Sequence, residues 1–164
     1  MATDDILDSP NLPTFLAKKP SLDEVEAFLI AKGGRVQHFG EVLENLPVKH
    51  HFTPGLYCRE IFMPAGAVLT SKIHNTEHPF VVSLGRCSVY NDATGEAVEI
   101  EAPYFGITLP GTRRLLFIHE DTIWTTFHPT HLTDVEEIES AIIRPHLNPL
   151  LPPGEQTSMK RLEK

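Results

Sequence analysis

From residue 48 to residue 128 apolar and polar positions alternate with a period of two. A half-buried strand produces that pattern, because successive side chains leave opposite faces of a sheet. Nine runs carry it: 48–52 (VKHHF), 56–63 (LYCREIFM), 68–74 (VLTSKIH), 80–85 (FVVSLG), 87–91 (CSVYN), 97–102 (AVEIEA), 106–109 (GITL), 113–119 (RRLLFIH) and 122–128 (TIWTTFH). Turn formers separate them, among them Pro54-Gly55, Pro64-Ala65-Gly66, Asp92-Ala93-Thr94-Gly95, Pro110-Gly111 and Glu120-Asp121. So many short strands at such close spacing predict an all-β sandwich or barrel. No run is followed by a crossover helix, which excludes a doubly wound α/β fold.

Helical spacing occurs only outside this region. The stretch SLDE at 21–24 is a capping box, with Ser21 as N-cap and Glu24 at the third helical position. Leu22, Val25, Phe28 and Leu29 then share one face, and Gly33-Gly34 stop the helix. A short helical turn is expected in EVLENL at 41–46, ended by Pro47. Beyond the last strand, Thr133 with Glu136 forms a second capping box, and DVEEIESAII predicts a helix to about residue 143. Pro145 forbids its continuation. Residues 1–19 read as an irregular arm, and the Pro-rich stretch from 145 to 164 is expected to be poorly ordered on its own. The organisation is therefore an arm and helix at 1–47, a β-barrel at 48–130, and a helix plus tail at 131–164.

A length of 164 residues fits one such domain with extensions. The formal net charge of −8 argues against a non-specific nucleic-acid binder, which needs a basic face. Apolar runs such as LLFI at 115–118 are far too short to span a bilayer, so no membrane partner is expected. The N-terminal MATDDILDSP lacks the charge pattern of a secretory signal. Cys58 and Cys87 lie in apolar strand-like runs and read as reduced, buried thiols. Both features point to the cytoplasm of a cell.

The candidate chemistry is concentrated at residues 74–80, HNTEHPF. His-x-x-Glu-His on a helix is a zinc-peptidase motif. Here Pro79 follows His78 directly and steers it away from helical backbone angles, while Phe80-Val81-Val82 favour strand. The histidines are therefore expected at a strand–turn–strand hairpin. Gly66, His74, His78 and Gly85 then resemble the first motif of the cupins, in which Gly, five residues, His, one, His, three, Glu, six and Gly succeed one another. The family's first histidine falls on Lys72, its second on His74 and its glutamate on His78. Leu109-Pro110-Gly111 is a loose counterpart of the second cupin motif, with Arg114 where that motif's histidine would fall. More closely, PGLYCREIFMPAG, HNTEH and APYFGITLPGTRRLLFIHEDTIWTTFHPT look like small cupin-like proteins encoded by bacteriophages. The resemblance implies a cupin jelly-roll barrel over roughly 48–130 and a phage origin, with other phage proteins or the virion as possible partners.

Two kinds of ligand suit these residues. A divalent transition metal (Fe, Mn, Ni or Zn) needs three or four converging ligands. His74 and His78 with Glu77 could form a two-histidine, one-carboxylate site, with His119 or His128 as the candidate further histidine. Lys72, Arg114 and Arg59, if they face inward, would instead repel a cation and attract a small anion, with Glu77 as counter-ion. A purely structural histidine cluster is the third possibility. Elsewhere, Arg113-Arg114 reads as solvated or salt-bridged, and Phe105, Trp124 and Phe127 as core. His50-His51 sends one histidine to each face of a strand. No Gly-rich phosphate loop, nucleophile elbow or zinc-ribbon cysteine pair occurs. Three functions follow as expectations: a non-enzymatic binder of a small anion or metal, a phage virion or assembly scaffold, and a metal-dependent oxygenase or isomerase. A homo-oligomer, most simply a dimer, is expected to cover exposed strand edges.

Overall fold

The computed structural model describes residues 15–31 and 46–151. The expected arm before residue 15, the glycine stop at 33–34, all but Leu46 of the turn at 41–46, and the tail beyond 151 lie outside the described residues. The elements run α1 (Leu22–Ala31), β1 (Val48–Thr53), β2 (Leu56–Met63), β3 (Val68–Thr70), β4 (Ile73–His74), β5 (His78–Leu84), β6 (Arg86–Asn91), β7 (Glu96–Glu101), β8 (Tyr104–Thr108), β9 (Leu115–Ile118), β10 (Thr122–Pro129), α2 (Val135–Ile142) and β11 (Ile143–Arg144).

The strands form an all-β barrel of antiparallel sheets. One sheet has the order β1-β2-β10-β5-β8, and it faces another of order β3-β9-β6-β7. Strands distant in sequence are neighbours in space: β10 lies between β2 and β5, and β9 between β3 and β6. That interleaving is jelly-roll topology. The core between the sheets is built from alternate residues of both: Ile61, Met63, Val82 and Trp124 from one, Cys87, Val89, Leu116 and Ile118 from the other. Each such side chain contributes about 1.5–3 kcal/mol when fully buried. Cys58 and Cys87 are both free thiols, Cys87 buried and Cys58 partly so.

Helix α1 explains why LLFI reads as a continuous apolar run. Leu116 and Ile118 face the barrel core, whereas Leu115 and Phe117 face outward and are covered by Leu22, Val25 and Leu29 of α1. The capping box forms as its sequence requires. Ser21 N–H donates to Glu24 Oε2 at 2.8 Å, and Glu24 N–H donates to Ser21 Oγ at 3.2 Å. On the far side of the barrel, Tyr57, Ile138, Ile142 and Ile143 make a third apolar cluster, which seats α2 over one mouth of the barrel.

Three local expectations are corrected. The run 68–74 is not one strand but β3 and β4, with different partners: β3 pairs β9, and β4 pairs β11. The cause is Ser71, which donates its N–H to Arg114 O at 2.8 Å and accepts Arg114 N–H on its hydroxyl at 2.9 Å, and so replaces the ladder. The N-cap of α2 is Asp134, not Thr133; its carboxylate accepts Glu137 N–H at 2.9 Å. Nor is the stretch after Pro145 unattached as far as residue 151. Asn148 donates to Asp23 O at 3.0 Å and to Glu26 Oε2 at 2.9 Å, and His146 lies 2.7 Å from Asp23 Oδ1. Among the described residues no helix is long and apolar enough to cross a membrane.

Candidate metal centre

The register of the five-stranded sheet builds the site. Tyr57 of β2 sits opposite His128 of β10, and His78 of β5 sits opposite Thr108 of β8. The β10–β5 ladder pairs Trp124 with Val82 and Thr126 with Phe80. Continued by one inward step, it brings His128 beside His78. The next level down holds Arg59 opposite Thr126, and Phe80 opposite Gly106. Gly106 is glycine for a steric reason, since a Cβ there would lie 2.4 Å from the Phe80 ring. Below that level the lining is apolar, with Ile61, Met63, Leu116 and Trp124. His74 enters from β4, across the cavity from this sheet.

The three rings meet. Centroid separations are 4.4 Å for His74–His78, 4.5 Å for His78–His128 and 5.4 Å for His74–His128. One ligand nitrogen from each lies within 4.8 Å of the other two. Two metal–nitrogen bonds of about 2.1 Å span at most about 4.2 Å, so small ring shifts close the trio on an ion. The tautomers also suit. His78 Nδ1 lies 3.0 Å from Thr76 O; a carbonyl only accepts, so Nδ1 carries the hydrogen and Nε2 keeps its lone pair. His128 Nε2 contacts Thr126 Oγ1 at 2.9 Å, while its Nδ1 is buried with no hydrogen-bond partner among the described residues. All three rings are held neutral. Burial lowers His74 and His128 to about 3, with the neighbouring imidazoles and Arg59 adding to it. Burial also lowers His78, opposed by the Thr76 carbonyl and aided by Arg114. Neutral imidazole is the form that binds a metal.

The remaining candidates divide. Lys72, Arg59 and Arg114 all line the same cavity of about 100 Å³. Glu77 does not line it; it is exposed. The counter-ion of Lys72 is instead Glu139 on α2, at 3.0 Å and almost fully buried. Its sequence signal is a carboxylate on the apolar face of a helix, next to Ile138 and three residues before Ile142. Because Glu139 neutralises Lys72, the expected repulsion of a metal by that lysine is largely removed. His119 lies just past β9, next to the other sheet, and contacts Ser88 Oγ at 2.7 Å, so the third imidazole of the cluster is that of His128. Arg113 pairs with Asp23 at 2.7 Å and with Glu26. Trp124 lines the cavity and stacks on Phe80 at 4.3 Å, whereas Phe105 is 65% exposed and outside it. His50 Nδ1 reaches Tyr57 OH at 2.8 Å, and His51 faces Glu60.

No protein-family model and no curated protein matches the chain. Solved structures do match. Salicylate 1,2-dioxygenase from Pseudoaminobacter salicylatoxidans superposes with a TM-score of 0.50 at 15% identity, over 73% of this chain and 33% of that one. The chain thus spans about a third of the dioxygenase's length. The cupin domain of Schizosaccharomyces pombe Cnp3 gives 0.44 at 19% identity, over 62% of this chain and 70% of that one. The EutQ protein of Clostridium difficile gives 0.43 at 17%, over 51% and 68%. The fold is a cupin-like β-barrel.

Proposed function

We propose that this chain is a cupin-fold protein that binds one divalent transition metal (Fe, Mn, Ni or Zn) through His74, His78 and His128. The observation that carries the reading is the orphaned Nδ1 of His128, buried within a trio of neutral imidazoles. A histidine kept only for packing normally finds a hydrogen-bond partner for each buried nitrogen. When bound, such an ion would supply a Lewis-acid centre with coordination positions left for a small ligand. The protein's own contribution is orientation and exclusion of water. Thr76 and Thr126 fix two of the rings, Tyr57 stacks on His128 at 5.8 Å, and Ile142 and Ile143 roof the cavity.

Three protein ligands rather than four also favour a second reading, a metal-dependent enzyme of the oxygenase or isomerase kind, because structural sites usually close the coordination sphere. The phage origin implied by the sequence resemblance draws no support from the structural neighbours. The test is elemental analysis of the purified protein after loading with each of the four ions and desalting. One equivalent retained by the native chain and lost in His128→Ala supports the reading. No stoichiometric ion with any of them would refute it and leave the anion-binding and scaffold readings.

A further inference from the structure

We propose that the cavity beside the histidines receives a compact dianion, gripped by Arg59 and Arg114. The inference builds on the metal-binding reading, with which it shares the cavity, but its own observation is a charge imbalance. Arg59 points inward from β2, one level below the histidines, and among the described residues no hydrogen bond or ion pair reaches its side chain. Arg114 donates to Thr108 Oγ1 at 2.9 Å and lies over the Phe80 ring at 5.4 Å, and neither partner carries a charge. Lys72 is matched by Glu139. Of the described residues that line the cavity, three are cations and one is a carboxylate, so that Arg59 and Arg114 face no carboxylate among them.

The neighbouring residue serves as an internal control. Arg113, which ties α1 to the barrel, is matched by two carboxylates, Asp23 and Glu26. Where this protein uses a buried arginine as structure, it neutralises it. Arg59 and Arg114 are left for something else. Guanidinium groups grip carboxylates and phosphates in a two-pronged fashion, so the missing partner is an oxyanion. Size limits it further. A volume of about 100 Å³, at about 10–15 Å³ per water, has room for about seven to ten waters, the space of a ligand of similarly few non-hydrogen atoms. Two negative charges on so small a body describe a short dicarboxylate or a tetrahedral oxyanion such as phosphate.

Thermal unfolding of the full-length protein tests this, both metal-stripped and metal-loaded. The probes are malonate and inorganic phosphate, with acetate and chloride at matched ionic strength as controls. A saturable rise in Tm of several degrees is expected with at least one dianion and neither control. Malonate acting alone identifies a dicarboxylate, phosphate alone a tetrahedral oxyanion, and either supports the proposal. Arg59→Met is expected to raise the Tm of the ligand-free protein, since it removes an unmatched cation, and to erase the dianion shift. Arg114→Met should also erase the shift, whereas the surface variant Arg86→Met should leave it intact. Absence of any dianion-specific shift in both metal states overturns the proposal, as does an Arg59→Met variant that loses stability and keeps the shift. A dianion shift in the stripped protein that survives a failed metal analysis leaves the anion site standing without the ion. Metal retained without any shift sinks the anion site alone.

Discussion

His78 opens β5 and points into the barrel, whereas Glu77 belongs to the turn just before that strand and faces solvent, so the His-x-x-Glu-His spacing does not make a two-histidine, one-carboxylate site. Glu77→Gln is therefore expected to leave metal content unchanged in the assay that His128→Ala fails. His74 and His78 were legible from spacing and from the proline that follows. The third imidazole was legible only as a choice between His119 and His128, because sequence alone does not say which strand the β5 ladder will meet. Glycine at position 85 was part of the same pattern, and its reason is now physical. Its φ is +89°, and a Cβ there would lie 2.3 Å from Asp121 O. Gly85→Ala should cost about 2 kcal/mol or more, read as a shift in the urea midpoint.

Among the elements, α1 was the most readable, since its cap and its apolar stripe both lie within ten residues. What holds it to the barrel was not readable, because the partners come from opposite ends of the chain. Arg113 bridges Asp23 and Glu26, while His146 and Asn148 close the same cluster from the C-terminal side. Arg113→Ala would leave the buried Glu26 carboxylate without its cation and should destabilise the protein by about 3 kcal/mol or more in chemical denaturation. The cluster also sets a pH dependence. Burial acts to raise the Asp23 carboxyl, but hydrogen bonds from Arg113 and His146 outweigh it and hold it below its ordinary value of 3.8. A carboxyl depressed in the folded state stabilises the fold above its unfolded value and loses that contribution as the pH falls through the folded one. Thermal melts from pH 5 down to pH 2 should show a loss below about pH 4 that Asp23→Asn lacks. Splitting of the 68–74 run into β3 and β4 was hidden for a similar reason, as it depends on Ser71 exchanging hydrogen bonds with the distant Arg114.

At the scale of the whole molecule, alternation along the chain was enough for the barrel, whereas composition gave no hint of its interior. The chain carries a net charge of −8, yet its cavity lining is cationic. Such a contrast comes only from the three-dimensional sorting of a few side chains. The sheet edges carry a further expectation. Among the described strands β8 ends its sheet with β5 as its one neighbour, and Phe105 and Ile107 on it are 65% and 46% exposed. An apolar edge that no described residue pairs with invites pairing with a second copy across a two-fold axis. A dimer is the expected species in light scattering after gel filtration, and Phe105→Lys should convert it to monomer.

Protein synthesis runs from the N-terminus, and the placement of β11 gives that direction a consequence. Strand β4 is only two residues long, and Ile143 of β11 is the residue that pairs with His74. While the chain is still on the ribosome, His78 and His128 can already sit in adjoining strands, but His74 has no ladder to hold it until residue 144 has emerged. The triad of imidazoles is thus completed only once β11 has been made; a chain that stops short of it keeps the Gly111 N–H bond to His74 O at 2.8 Å but lacks the strand pairing that seats that ring.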